Sequence, residues 1–234
     1  RKSGDVHAAV ELHVEQGAVL DTRGIEIGVV TTISAPTDIR VSVFGTQEHA
    51  GATPMDMRKD AMSAAAEIML GLEGLARNSK DYSTVATVGK VEVLPGSTNV
   101  IPGQVNFSID IRSADMEDKE MLISKLKAIV SCVENVRNVK VNLEIVTHDA
   151  PADADPHVIE TIRGICDEDV VNYNMMVSEA YHDSMFVSKF APFGMIFVPS
   201  KNGISHHIDE WTDFEDIAAG TDILAETLFR LSNE

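Results

Sequence analysis

"TDIRVSVF", residues 37–44, sets Ile39, Val41 and Val43 on one side of an extended chain and Asp38, Arg40 and Ser42 on the other. That alternation is the signature of a half-buried strand. Its surroundings decide what kind of sheet it joins. Residues 58–77, "RKDAMSAAAEIMLGLEGLAR", are rich in Ala, Met and Leu at helical spacing. Two strand-like runs follow, 82–94 and 104–112, joined by the turn-rich "PGSTNVIPG". Residues 116–135 read as a second amphipathic helix with Asp115 as its N-cap. "VKVNLEIV", 139–146, is a last alternating strand. The order βαββαβ predicts a ferredoxin-like sandwich, an antiparallel sheet with two helices on one face. A unit of about 110 residues is a reasonable domain size.

The composition changes on either side of that unit. "DAPADADP", 149–156, ends in Asp155-Pro156, an N-cap followed by proline at the first helical position, and predicts a helix over 157–167. Gly194–Val198, bounded by prolines, reads as a buried strand of an α/β sheet. The loop "KNGISHHIDEW" comes next, and then a helix that Thr212 and Glu215 would open as a capping box. The fold expected is an α/β domain interrupted by an inserted α+β ferredoxin-like domain, with segments 1–33, 34–147 and 148–234.

Bulk properties restrict the function. The net charge of −18 argues against a nucleic-acid partner, since phosphate backbones repel it. No apolar run approaches the roughly 18–20 residues that span a bilayer, so no membrane partner is expected. Cys132 and Cys166 lie in helix-like stretches without paired spacing, which predicts reduced core residues and a cytoplasmic setting.

Polar residues stand out in a few places. In "ELHVEQG", 11–17, Glu11, His13 and Glu15 share one face if the segment is extended, a pattern that suits a divalent metal or a proton shuttle. A solvated edge strand accounts for the same residues. His49 starts a small-residue turn in "QEHAGATPMDMRKDA", Asn99 sits in a tight loop, and Arg112 ends the strand after it. Each has a plain alternative: a helix-entry hydrogen bonder, a turn residue, a surface ion-pair partner. His206 and His207 follow the buried strand, where α/β sheets place ligands.

Taken together, "ELHVEQG", "HAGATPM", "STNVIPG" with "IDIR", "HDSM", and "MIFVPSKNGISH" with "EWT" resemble, in order and through essentially the whole chain, the hydantoinase/carbamoylase branch of the aminoacylase and carboxypeptidase metallohydrolases. That branch includes N-carbamoyl-L-amino-acid hydrolases, allantoate amidohydrolases and β-ureidopropionases. The resemblance implies metal-dependent hydrolysis of a carbamoyl or ureido C–N bond in a small carboxylate substrate. Aminoacylase or dipeptidase chemistry and a non-catalytic dimerisation or binding module are the alternatives. It implies that His13 and His206 are ligands facing one site of two divalent ions (Zn, Mn, Ni or Co), typically about 3.5–4 Å apart. Gln16 would line the substrate pocket, Asn99 and Arg112 would hold the carboxylate from neighbouring positions, and His182 would add a polar contact near the metals. His49 would polarise the scissile carbonyl across a homodimer formed through the inserted lid.

The same resemblance implies that the family's other three ligands and its general base lie upstream of "ELHVEQG". These 234 residues then read as the carboxyl-terminal portion of a longer enzyme, inactive alone and binding metal weakly. Glu11 and Glu15 belong to the motif around His13 and do not replace those acids. Two stretches depart from the family pattern: "SEAYHDS" (178–184) stands for a glycine-rich "SGAGHDA", and "SAPTDIR" (34–40) stands where Arg or aromatic residues are common.

Overall fold

A computed structural model describes residues 2–234. In chain order the elements are β1 (Ala9–Val14), α1 (Val19–Arg23), β2 (Ile27–Ile33), β3 (Ala35–Phe44), β4 (Glu48–His49), α2 (Ala61–Arg77), β5 (Val85–Leu94), β6 (Val100–Ile101) and β7 (Gln104–Ser113). They continue as α3 (Met116–Arg137), β8 (Lys140–His148), β9 (Ala152–Asp153), α4 (Pro156–Glu168), β10 (Tyr173–Ser178), α5 (Ser184–Val187), β11 (Phe193–Val198) and α6 (Phe214–Ser232). The fold is mixed α/β. It divides into two compact units: the segment ending at Ser34 together with Pro151–Glu234, and Ala35–Ala150 between them.

The second unit is built on β3 and β7, the two inner strands of the antiparallel sheet β5-β7-β3-β8. Every second residue of β7 is buried, and Val105, Phe107, Ile109 and Ile111 share one core with residues of α2 and α3. Both helices therefore cover the same face, and the opposite face stays open. Asp60 and Asp115 each accept two backbone N–H bonds at the helix starts, the second as the sequence predicts. Lys119 is fully buried in this unit. Its ammonium donates to the carbonyls of Ala35 and Asp149, tying the first strand to the end of the last. Burial pushes the Lys119 pKa below its usual range, and the charges of Asp149 and Glu120 oppose that shift.

The first unit carries a sheet in the order β1-β11-β2-β10, with β9 paired to β2. β1 runs parallel to β11 and β10 parallel to β2, whereas β11 and β2 are antiparallel. Val10, Leu12 and Val14 pack with Ile162, Ile196, Val198, Ile223 and Leu231, so α4 and α6 cover one face. Gly220 makes that packing possible: a Cβ there would meet Val198 Cγ1 at 2.4 Å and Leu12 Cδ1 at 2.8 Å. Asp155 caps α4 with Pro156 in its first turn, as expected.

Two expectations are corrected here. The capping box at Thr212 is not formed, because α6 starts at Phe214 and the Thr212 hydroxyl donates to the Pro199 carbonyl instead. Cys132 is exposed rather than in the core; its neighbours Val130 and Val133 take the inward positions of α3. Cys166 is buried, which pushes its thiol up to about 11. Among the described residues no helix is long and apolar enough to cross a membrane.

Candidate functional site

Alternation along β1 sends Val10, Leu12 and Val14 toward α4 and α6, so Glu11 and His13 project from the other face of the sheet. Beside them on β11 lie Met195, opposite Glu11, and Phe197, opposite His13. The loop that leaves β10 brings His182 to this face. Its imidazole centroid is 4.6 Å from that of His13, nearly edge-on at 70°, and 5.5 Å from the Phe197 ring. One ligand atom from each of Glu11, His13 and His182 lies within 4.8 Å of the others.

Hydrogen bonds around the cluster fix each side chain. His13 Nδ1 is 2.8 Å from the Val14 carbonyl, which can only accept, so Nδ1 carries a proton and Nε2 is the ring nitrogen turned away from the backbone. Glu11 Oε2 accepts from both the backbone N–H and the hydroxyl of Ser184, at 2.9 and 2.6 Å. That carboxylate fastens the start of α5 to β1 and so holds the loop bearing His182. His182 itself is buried, with Nε2 2.8 Å from Ser178 Oγ. Its pKa is lowered to about 4, first by burial and then by His13, against the pull of Glu11 and Asp183. The ring is neutral at physiological pH.

The other residues singled out in this unit stand apart from the cluster. Glu15 lies beyond the end of β1, and its two carboxylate oxygens accept from Val19 N and Leu20 N, capping α1. Gln16 has left-handed backbone at φ 59° and donates its N–H to Ser200 Oγ at 3.0 Å. His206, with φ 55°, is exposed in the loop after β11, its N–H held by Glu210 at 2.8 Å. It is not one of the three converging groups. His207 lies beside it, exposed, with Nδ1 accepting from Asp209 N. The bulk in "SEAYHDS" is turned aside: Glu179 accepts from Ser34 Oγ at 3.0 Å, and Tyr181 packs edge-on against Phe186.

In the second unit, β4 and β6 form a two-stranded ribbon pairing His49 with Val100, and Ala50 N donates to the Asn99 carbonyl. His49 and Asn99 are thereby neighbours, both exposed. His49 Nδ1 accepts from the backbone N–H groups of Gly51 and Ala52 at 3.0 and 3.2 Å, so its proton sits on Nε2. Arg58, which sequence reasoning did not select, braces that turn by donating to the carbonyls of Ala50 and Thr53.

Arg112 is not beside Asn99. It pairs with Pro36 and Val85, whereas the ribbon adjoins the end of the sheet where Gln104 pairs with Phe44 and Leu94. Eight residues of strand, about 26 Å at the usual rise, separate Gln104 from Arg112. Asn99 precedes β7 and Arg112 is near its far end, so the length of the strand stands between them. On the open face, Arg112 grips Asp110 through Nε and Nη2, at 3.1 and 3.0 Å, beside Asp38, Arg40, Thr87 and Ser108.

The chain matches known proteins along nearly its whole length. Residues 2–230 match the family model described as Peptidase family M20/M25/M40. A ureidoglycolate hydrolase of Arabidopsis thaliana is 40% identical over 232 residues, covering 99% of this chain and 49% of that protein. An N-carbamoyl-L-amino-acid amidohydrolase of Pseudomonas sp. (strain NS671) is 35% identical over 230 residues, covering 98% of this chain and 56% of its own. A crystal structure of a hydantoinase/carbamoylase family amidase from Burkholderia multivorans superposes with a TM-score of 0.92 at 32% identity, over 98% of this chain and 56% of that one. The chain spans about half the length of the curated relatives it matches.

Proposed function

The chain belongs to peptidase family M20/M25/M40, and from that premise we propose that the whole protein hydrolyses a ureido or carbamoyl C–N bond in a small carboxylate, such as an N-carbamoyl-L-amino acid or allantoate. What carries the reading is the placement of His13 and His182, imidazoles 4.6 Å apart, in a chain alike along its length to hydrolases named for that bond.

The donors suit a divalent ion. His13 offers Nε2, the ring nitrogen turned away from the backbone, and His206 is the second ligand we assign, the metal being Zn, Mn, Ni or Co. Such an ion, when bound, supplies a Lewis acid and an activated water. Gln16 and His182 border the substrate on this unit. Ala35–Ala150 is assigned as a ferredoxin-like lid and dimerisation domain, within the divisions 1–33, 34–147 and 148–234. His49 presents a fixed Nε2–H, the donor that a developing oxyanion needs, and we assign it to the site of a partner copy. Arg112 holds the substrate carboxylate; Asn99, which the strand register sets far from Arg112, does not share that grip within one copy of the chain. Asp110 sets the plane of the Arg112 guanidinium for a bidentate grip. With free thiols at Cys132 and Cys166, we place the protein in the cytoplasm.

The test is a substrate panel on the whole protein with Mn²⁺ or Zn²⁺ supplied: N-carbamoyl amino acids, allantoate and ureidoglycolate against N-acetyl amino acids and dipeptides. Turnover of the ureido compounds in preference to the others supports the reading. Preference for N-acetyl amino acids or dipeptides would replace it with aminoacylase-type chemistry, and no turnover of any would favour a binding module.

A further inference from the structure

We propose that the chain passes between its two units through a stiff hinge made of two Ala-Pro steps, Ala35-Pro36 and Ala150-Pro151, and that the buried Lys119 ammonium is the pin that limits its bending. The inference concerns how the units are joined and is independent of which bond the whole protein hydrolyses.

The chain crosses from one unit to the other twice, from Ser34 to Ala35 and from Ala150 to Pro151. On the first-unit side the two passages are paired antiparallel, Thr32 with Asp153 and Ile33 with Ala152. On the second-unit side they are paired again, Thr37 with His148 and Asp38 with Thr147. The register is the same in both pairings, so one two-stranded ribbon carries both passages. Its ladder stops between Ile33–Ala152 and Thr37–His148. Within that gap Asp149 N donates to the Pro36 carbonyl, but Pro36 and Pro151 have no N–H with which to continue the ladder.

Lys119 takes the place of the missing ladder bonds. It is wholly buried on α3, and its ammonium donates to the Ala35 carbonyl at 3.2 Å and to the Asp149 carbonyl, one acceptor from each passage. Parting the passages would leave those buried groups unpaired, which is costly. The backbone around them has little freedom. Neither passage contains glycine, and each proline fixes its own φ and holds the alanine before it extended. β3 stays paired with β7 as far as Ala35 with Ser113. On the other side of the crossing, Ser34 N donates to the Ser178 carbonyl at 2.8 Å and Ser34 Oγ to Glu179 at 3.0 Å. Ser178 Oγ is in turn 2.8 Å from His182 Nε2, so the first-unit end of the hinge is anchored on the strand end that holds that ring. Bending is confined to the Ser34–Ala35 step and to Asp149–Pro151, and Lys119 sets how far the two passages part.

The experiment measures the spread of distances between the units by pulsed dipolar EPR. One nitroxide is attached at the native, exposed Cys132 in the second unit and one through Asp222→Cys on α6 in the first, Cys166 being buried. Lys119→Met is expected to widen the distance distribution by about twofold or more, whereas Lys125→Met, at an exposed position of the same helix, leaves it unchanged. Hydrogen exchange separates a loosened hinge from a loosened core, since the amides of β7 are expected to stay protected in Lys119→Met. Circular dichroism checks each fold. If Lys119→Met does not fold, Pro36→Gly and Pro151→Gly combined in one chain decide, with the same widening expected. An unchanged width in the folded variant, or widening accompanied by fast exchange throughout β7, overturns the proposal.

Discussion

Two polar sets occupy the two units of this chain, and they are finished differently. In the first unit, Glu11, His13 and His182 each bond to a surrounding frame, and one ligand atom of each lies within 4.8 Å of the others. In the second, His49 is exposed with its Nδ1 satisfied by backbone, and Arg112 is closed on Asp110. The first set is gathered at one place on its sheet face, whereas the members of the second are spread along their unit.

The contrast can be broken most forcefully at His49. In the whole protein, His49→Ala is expected to lower kcat by about 10²–10⁴ without changing metal content, as loss of an oxyanion donor or proton-transfer group does. Unchanged kcat would remove His49 from the reaction. Next in size is Lys119→Met, which keeps volume but leaves the carbonyls of Ala35 and Asp149 without their donor. A loss of about 2–4 kcal/mol in urea unfolding is expected, and less than about 1 kcal/mol would mean that the tie matters little. Arg112→Ala should raise KM for carboxylate substrates by about 10–100-fold with kcat held, because a charge-assisted bidentate bond is lost. A fall in kcat at constant KM would assign Arg112 to the chemical step instead.

The smallest effect concerns the thiols. Cys132 is exposed and Cys166 is buried with its pKa pushed up to about 11, so native protein at pH 8 should take up one equivalent of alkylating reagent. The reactive species is the thiolate, so any native labelling of Cys166 should climb about tenfold per pH unit below that value. Equal labelling rates at both cysteines near neutral pH would contradict its burial.

Much of this was readable from the chain because alternation and capping are local. β3, β7, α2 and α3 declare themselves through apolar spacing, and Asp115 and Asp155 through their cap positions. β2 and β10 were missed: "IGVVTTI" and "YNMMVS" do not alternate cleanly, since their burial comes from helices, loops and neighbouring strands far away in sequence. The capping box failed because Pro199, thirteen residues earlier, competes for the Thr212 hydroxyl. At the site, the shared face of Glu11 and His13 was legible from a period of two. What the sequence could not supply was Ser178 and Ser184, which hold His182 and Glu11 in place; Glu11 and Ser184 meet only once the chain is folded. The distance between Asn99 and Arg112 was likewise hidden until the strand register was known.

The central claim, that the fold of the first unit brings a neutral His182 ring against His13, is tested most directly by ¹⁵N-edited NMR of the histidine rings in the chain at neutral pH. The account predicts a proton on His13 Nδ1 and a neutral His182 ring. A cationic His182, or a His13 ring without a proton on Nδ1, would contradict it.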